Sequence, residues 1–257
     1  MDKASLESQL GNRPCDVEDS EEMFWLRQSD DYQSKVKLGG LLVGQYRFQE
    51  AVDVYREAAC IKNDDPMLFL RLGGACLTVR RFQDAFDAYQ RYIALCGVDK
   101  KVSYPLGIWH FLRNDYTSAA ECFLRCVPCD DEMAIAVIYW HSIASFRSSQ
   151  PPILLEQYHD GMNVGHHGAY RLAVSLFAGA ISLDSALAEL ESLKNDLDYC
   201  VAAYGIACFL ADHAEKGKCH ELMQAVLDRS SIWPCISFLA AWNDVHREAT
   251  EQNEGRE

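Results

Sequence analysis

Apolar residues in the first half of the chain recur at i, i+3, i+4 and i+7, the spacing that places them on one face of a helix, and short polar breaks cut this pattern into helix-length segments. Between Leu38 and Cys126 the segments repeat with a period of 34 residues and no insertion. Leu38-Gly39 returns as Leu72-Gly73 and Leu106-Gly107, Phe48 as Phe82 and Tyr116, Ala51 as Ala85 and Ala119, and Tyr55 as Tyr89 and Phe123. The period predicts three helix pairs: first helices over 32–44, 66–79 and 102–113, second helices over 48–61, 82–95 and 116–127. Pro66 stands where a first helical turn tolerates proline, with Asp64 or Asp65 placed to cap it, and Pro128 closes the third pair. The shared glycines leave room for the aromatic of the adjacent second helix, and the shared alanines mark close helix crossings.

Beyond Pro128 the register decays while helical segments continue. Expected helices cover 131–146, a shorter 153–161 after the Pro151-Pro152 break, 169–181 and 185–194 with Asp184 or Ser185 as cap, and 197–212 and 214–228. In the last pair Tyr204-Gly205 stands where Leu-Gly stood before. A helix over 232–247, with Ser231 near its start and Pro234 in its first turn, is expected to cap the C-terminal end. Residues 1–22 lack an apolar period and end in the acidic run 16–22, which reads as a disordered leader; 248–257 reads as a polar tail. The cluster Met23-Phe24-Trp25-Leu26 begins ordered structure, either covering the open end of the array or anchoring a partner. The division is thus a leader, three regular units over 23–129, degenerate pairs and a capping helix over 130–247, and a tail.

Leu-Gly in a first helix and Ala-x3-aromatic in a second, at this period, resemble the tetratricopeptide repeat superfamily, closely over 32–129 and more weakly over 130–247. The tryptophan of that motif is Lys35, Phe69 and Ser103 here, and its closing proline is Asn63, Gly97 and Asp131, changes at helix ends that leave the fold intact. The resemblance implies an all-α, right-handed superhelical solenoid of roughly five to six antiparallel helix pairs with a C-terminal capping helix. It also implies a protein-binding role, with the first helices lining a concave groove. Mapped by register, that groove holds Gln33, Val36, Lys37, Gly40 and Val43, then Met67, Leu70, Arg71, Gly74 and Leu77, then Lys101, Tyr104, Ile108 and Phe111.

Chaperone adaptors in this superfamily grip a C-terminal carboxylate at places that are Val36, Gly40, Arg71, Lys101 and Pro105 here; only Lys101 matches, so no carboxylate clamp is expected. A largely apolar groove suits another protein or peptide, offered as an extended apolar segment or an amphipathic helix. The chain is also similar to the cytoplasmic chaperones of type III secretion translocators, which are acidic, carry three tandem repeats, and have a second repeat like Phe69 to Cys76 and a proline like Pro105. Scaffold or adaptor is the first reading, and translocator-type chaperone the second.

Composition narrows the partner. A formal net charge of -14 and a pI near 5.0 argue against nucleic acid, which is usually met by a basic face. The first residues hold neither a basic stretch nor an apolar one, and no apolar run is long enough to span a bilayer, so a cytoplasmic location without membrane insertion is expected. In that reducing setting the 11 cysteines are expected to be free and to serve as small buried hydrophobes. Oligomeric state stays open.

Candidate chemistry is sparse. Cys122-x3-Cys126-x2-Cys129 has a spacing also used to hold an iron–sulfur cubane, but the first two lie on a second helix, where core packing is the expected role. His110 and His141 could add ligands, yet no second C-x2-C accompanies them. His166-His167 falls in the loop 163–168 with no acidic neighbour at ligand spacing beyond Asp160, and reads as a surface pair. Phosphate-binding glycine loops, HExxH and GxSxG are absent. The expectation is a binding protein with no catalytic residue, no cofactor and no resident metal.

Overall fold

The computed structural model describes residues 17–213 and 215–254, the side chains of 216 and 248–254 excepted. Residues 1–16, most of the expected leader, and 255–257 of the tail lie outside the described residues. Every regular element among the described residues is helical. The helices are α1 Glu21–Arg27, α2 Tyr32–Gly44, α3 Phe48–Ile61, α4 Pro66–Thr78, α5 Phe82–Cys96, α6 Lys100–Leu112, α7 Tyr116–Leu124, α8 Asp131–Arg147, α9 Gly168–Phe177, α10 Leu183–Ser192, α11 Asp196–Asp212, α12 Lys216–Asp228 and α13 Ile236–Glu254. The chain separates into two compact units, one ending at Pro105 and one beginning at Leu106. The division falls inside α6, at the residue whose ring removes a helical N–H.

In the first unit α1 packs on α2, α2 on α3, α3 on α4 and α4 on α5. Local sequence starts these helices. Ser20 accepts a bond from the amide of Met23 at 3.2 Å, Asp31 from Ser34 at 3.0 Å, and Asp65 from Met67 at 2.8 Å, so each cap satisfies a free amide of the first turn. Glu21 and Glu22 sit in the first turn of α1 and Arg27 in its last, as the helix dipole favours. Met23 is buried, while Phe24 and Trp25 are 55% and 61% exposed and meet edge to face at 5.5 Å. The strand of chain before α1 is tied to α3 by charge: Arg27 reaches Asp19 at 2.5 Å and Glu50 at 2.8 Å, and Arg47 bonds Asp19 and Glu50. The Arg27 guanidinium, and then Arg47, hold the Asp19 carboxyl down at about 2.

The repeat contact is present in each regular pair. A Cβ placed on Gly39 would overlap the Tyr55 ring, one on Gly73 the Tyr89 ring, and one on Gly107 would lie 2.7 Å from Phe123. Ala51, Ala85 and Ala119 are fully buried. The fold is tetratricopeptide-like by its own geometry.

A second repeated device was not legible from residue type. The first helices α2, α4 and α6 end on a left-handed residue, Tyr46, Arg80 and Asn114, with φ of 62°, 62° and 64°. After each, an amide bonds five residues back: Arg47 to the Leu42 carbonyl at 2.9 Å, Arg81 to Cys76 at 2.8 Å, and Asp115 to His110 at 3.0 Å. This is the Schellman ending, here without glycine. The same pair of features closes α8 at Ser149 (φ 54°), with Gln150 to Ser145 at 2.9 Å, and α9 at Gly179 (φ 69°), with Ala180 to Ser175 at 2.9 Å. After α11 the Glu215 amide bonds the Leu210 carbonyl at 2.9 Å. The ending thus recurs on α8 and α9, in a region where the sequence register has faded.

The second unit departs from expectation in several places. The second helix of the third pair stops at Leu124 instead of 127, with Arg125 as its C-cap and Val127, ahead of Pro128, outside it. After α8 the expected helix over 153–161 is only a 3₁₀ turn, Ile153–Gln157, so the fourth pair has a stunted second member. Ser182, not Asp184 or Ser185, caps α10, accepting from the Ser185 amide at 3.2 Å. The last helix starts at Ile236, since Pro234 follows a 3₁₀ turn over Ser230–Ile232 instead of opening the helix. Gly205 does not repeat the Gly39 contact: a Cβ there would lie 2.5 Å from Tyr139 of α8 and 2.6 Å from Ala173 of α9. It lets α11 cross two upstream helices closely, and the Tyr139 hydroxyl donates to the Val201 carbonyl at 2.7 Å in that crossing.

Candidate partner-binding face

The first unit carries most of the expected groove on α2, α4 and the start of α6. Tandem glycines separate two faces of the same helix. Gly39 and Gly73 are buried against tyrosines, whereas Gly40 and Gly74, one residue on, have nothing within 4 Å of a built Cβ. A step of one residue turns about 100° round a helix, so one glycine serves packing and the next borders open space. Beside that space Val36, Val43, Leu70 and Tyr104 are half-buried and Met67 is 36% exposed.

Charge on this face is asymmetric. Lys37 pairs with Glu22 of α1, while Arg71 and Lys101 are exposed. Tyr32 at the start of α2 donates to Asp65 at 2.6 Å, and Lys62 lies over the Tyr32 ring at 5.3 Å, so the starts of α2 and α4 are fixed to each other. Burial drives the Tyr32 hydroxyl far above its usual range, helped by that bond to Asp65, and it stays a neutral donor.

Three residues of the expected groove are used otherwise. Leu77, Ile108 and Phe111 are 3%, 2% and 3% exposed, too buried to meet a partner. Phe111 meets Trp140 at 5.1 Å and Tyr116 at 5.2 Å in the core of the second unit. Register places a residue on a helix face, but only tertiary packing decides whether that face is covered.

The cysteine triplet does not form a ligand set among the described residues. Cys122 and Cys126 are buried, Arg125 donates to the Cys122 sulfur at 2.9 Å, and the Cys126 thiol donates to the Cys122 carbonyl at 3.5 Å. Burial pushes the Cys122 thiol up, and that of Cys76 to about 11, so these thiols stay protonated. His110 bonds Asp115 at 2.9 Å, and His141 is buried on α8, where burial lowers it to about 4. His166 and His167, by contrast, are joined by an acid that sequence spacing did not reveal: Glu132, in the first turn of α8.

The second unit also holds a buried ion pair. Arg147 of α8 donates to both carboxylate oxygens of Asp244 of α13, at 2.8 and 2.6 Å, and the Tyr204 hydroxyl adds a third bond at 3.0 Å. A cavity of about 250 Å³ opens beside it, lined by Phe146, Cys208, Met223 and Arg247 among others. Because Asp244 satisfies the Arg147 fork, the pair reads as an anchor between helices.

No family profile matches the chain, and no curated protein does. Among solved structures, the chain is similar to YrrB, described as a TPR protein with an unusual peptide-binding site, at 12% identity and a TM-score of 0.47, over 86% of this chain and 96% of that one. It is also similar to a structure of Naa15/Naa10 bound to HypK-THB, at 16% identity and a TM-score of 0.37, over 91% of this chain and 38% of that one. No helix among the described residues is long and apolar enough to cross a membrane. The tetratricopeptide-like assignment rests on the chain itself, on a glycine–aromatic contact and a Schellman ending that recur along it.

Proposed function

We propose that the chain is a protein-interaction scaffold that receives an apolar segment of a partner on the first-helix face of its first unit. The observation that carries this reading is the pairing of Gly40 and Gly74 with open space, between half-buried Val36, Val43 and Leu70, on helices whose opposite glycines are filled by tyrosine. Small residues at those two places let a partner backbone or side chain approach α2 and α4 closely. Burial of apolar area supplies the affinity, and the exposed Arg71 and Lys101 select a segment with acidic flanks.

The experiment is capture of partners by the intact chain against variants Gly74→Phe and Leu70→Glu. Position 74 borders open space and Leu70 is only half-buried, so circular dichroism should match the wild type. Loss of the same partner in both variants supports the reading, and retention of every partner rejects it. A captured partner that is insoluble alone would point to a chaperone, and one that is stable alone to an adaptor.

A further inference from the structure

The loop before α9 carries the second unit's unassigned chemistry. Asp131 and Glu132, in the first turn of α8, hold that loop in place. Asp131 accepts from the Asn163 amide at 2.9 Å and Glu132 from the His166 amide at 3.3 Å. Gly165 is left-handed at φ 51°, and a Cβ there would overlap the Glu132 carboxylate, so glycine is what lets the carboxylate enter the loop. The two imidazoles lie side by side with centroids 4.2 Å apart. His166 pairs with the Glu132 carboxylate through Nδ1, and His167 Nδ1 lies 2.6 Å from the Glu132 backbone carbonyl. One ligand atom from each of Glu132, His166 and His167 falls within 4.8 Å of the others.

We propose that Glu132, His166 and His167 form a binding site for a divalent transition-metal ion of the zinc type. Two imidazoles and one carboxylate are a donor set that suits zinc or cobalt and disfavours calcium or magnesium, which take oxygen ligands. The Glu132 carbonyl acts on His167 as metal-bound histidines require: it accepts the Nδ1 proton, fixes the tautomer and leaves the lone pair on Nε2. Around a tetrahedral ion with bonds of about 2.0–2.1 Å, ligand atoms stand roughly 3.3 Å apart, so closure needs side-chain rotations of the order of an ångström. His166 is exposed and His167 and Glu132 are half-buried, which leaves a coordination position open to water. A bound ion would clamp the loop to α8 and link two segments more than 30 residues apart in sequence.

The test uses the full chain with any affinity tag removed, stripped with chelator and titrated with Co²⁺. The expected result is one equivalent bound, with visible bands of nitrogen and oxygen ligation and no thiolate charge-transfer band, displaced by Zn²⁺. A double variant His166→Ala with His167→Ala should lose this signal, and Glu132→Gln should weaken binding at least tenfold with unchanged circular dichroism. Thermal unfolding of the wild type should move up with Zn²⁺ and that of the double variant should not. A thiolate band, the absence of binding, or equal affinity in Glu132→Gln would each overturn the assignment. If the double variant fails to fold, the Glu132→Gln result decides alone.

Discussion

Replacing Gly73 and, separately, Gly74 with alanine separates the two faces of α4 by a quantity the structure supplies. Either change gains the same helix propensity, up to about 1 kcal/mol, so that term cancels when the two variants are compared. What remains is packing. At Gly73 the new methyl falls inside the ring of Tyr89, which is fully buried, and at Gly74 it meets nothing within 4 Å. Overpacking of a filled core costs typically about 1–3 kcal/mol, and a clash with a ring that has no room to retreat belongs near the top of that range. Gly74→Ala should therefore exceed the wild type in stability and Gly73→Ala should fall below Gly74→Ala by about 2–3 kcal/mol. For a chain of this size each kcal/mol moves the melting midpoint by roughly 2–4 °C, so the two variants should melt roughly 4–12 °C apart. Circular dichroism melts, repeated with Gly39→Ala and Gly40→Ala, provide the assay. Equal midpoints for Gly73→Ala and Gly74→Ala would refute the argument that tandem glycines divide packing from open surface.

Two further outcomes concern the second unit. Asp244→Leu leaves the Arg147 guanidinium buried without a counter-charge and should cost about 3–5 kcal/mol, whereas adding Arg147→Met should recover most of that loss; strict additivity of Asp244→Leu and Arg147→Met in this double-mutant cycle, read by urea unfolding, would show that the pair is no anchor. His141, held near 4 by burial against an ordinary 6.5, remains neutral in the folded chain while the unfolded chain takes up a proton first. Its contribution is thus complete above pH 6.5 and is lost as pH falls toward 4, up to about 3 kcal/mol at 1.36 kcal/mol per pH unit. The slope in that window should vanish in His141→Leu, and a slope that persists unchanged would assign it to other groups.

How much of this was readable in advance follows from the range of each interaction. The Gly39–Tyr55, Gly73–Tyr89 and Gly107–Phe123 contacts join residues of one repeat, so a fixed spacing exposes them. The first three Schellman endings keep the 34-residue period, yet Tyr46, Arg80 and Asn114 are not the glycines that would announce a left-handed residue. Geometry repeats there while residue identity does not. Gly205 looked like a further Leu-Gly site because its neighbourhood is similar, but its partners Tyr139 and Ala173 come from earlier helices. For the candidate sites the limit is the same. Register found Gly40, Leu70 and Gly74 on an open face, and could not tell that Leu77, Ile108 and Phe111 would be covered. Glu132 joins His166 and His167 only because a loop folds back on the start of α8, a contact no local spacing encodes.

The claim that the first-helix face receives a partner is tested most directly by site-specific photo-crosslinking in the cell. A benzophenone side chain placed at Gly74 on α4, and in a separate chain at the exposed Gln90 on α5, samples the two sides of one helix pair. The account predicts a discrete partner adduct from position 74 that disappears when Leu70→Glu is added, and none from position 90. Adducts from position 90 alone, or an adduct at 74 indifferent to Leu70→Glu, would contradict it.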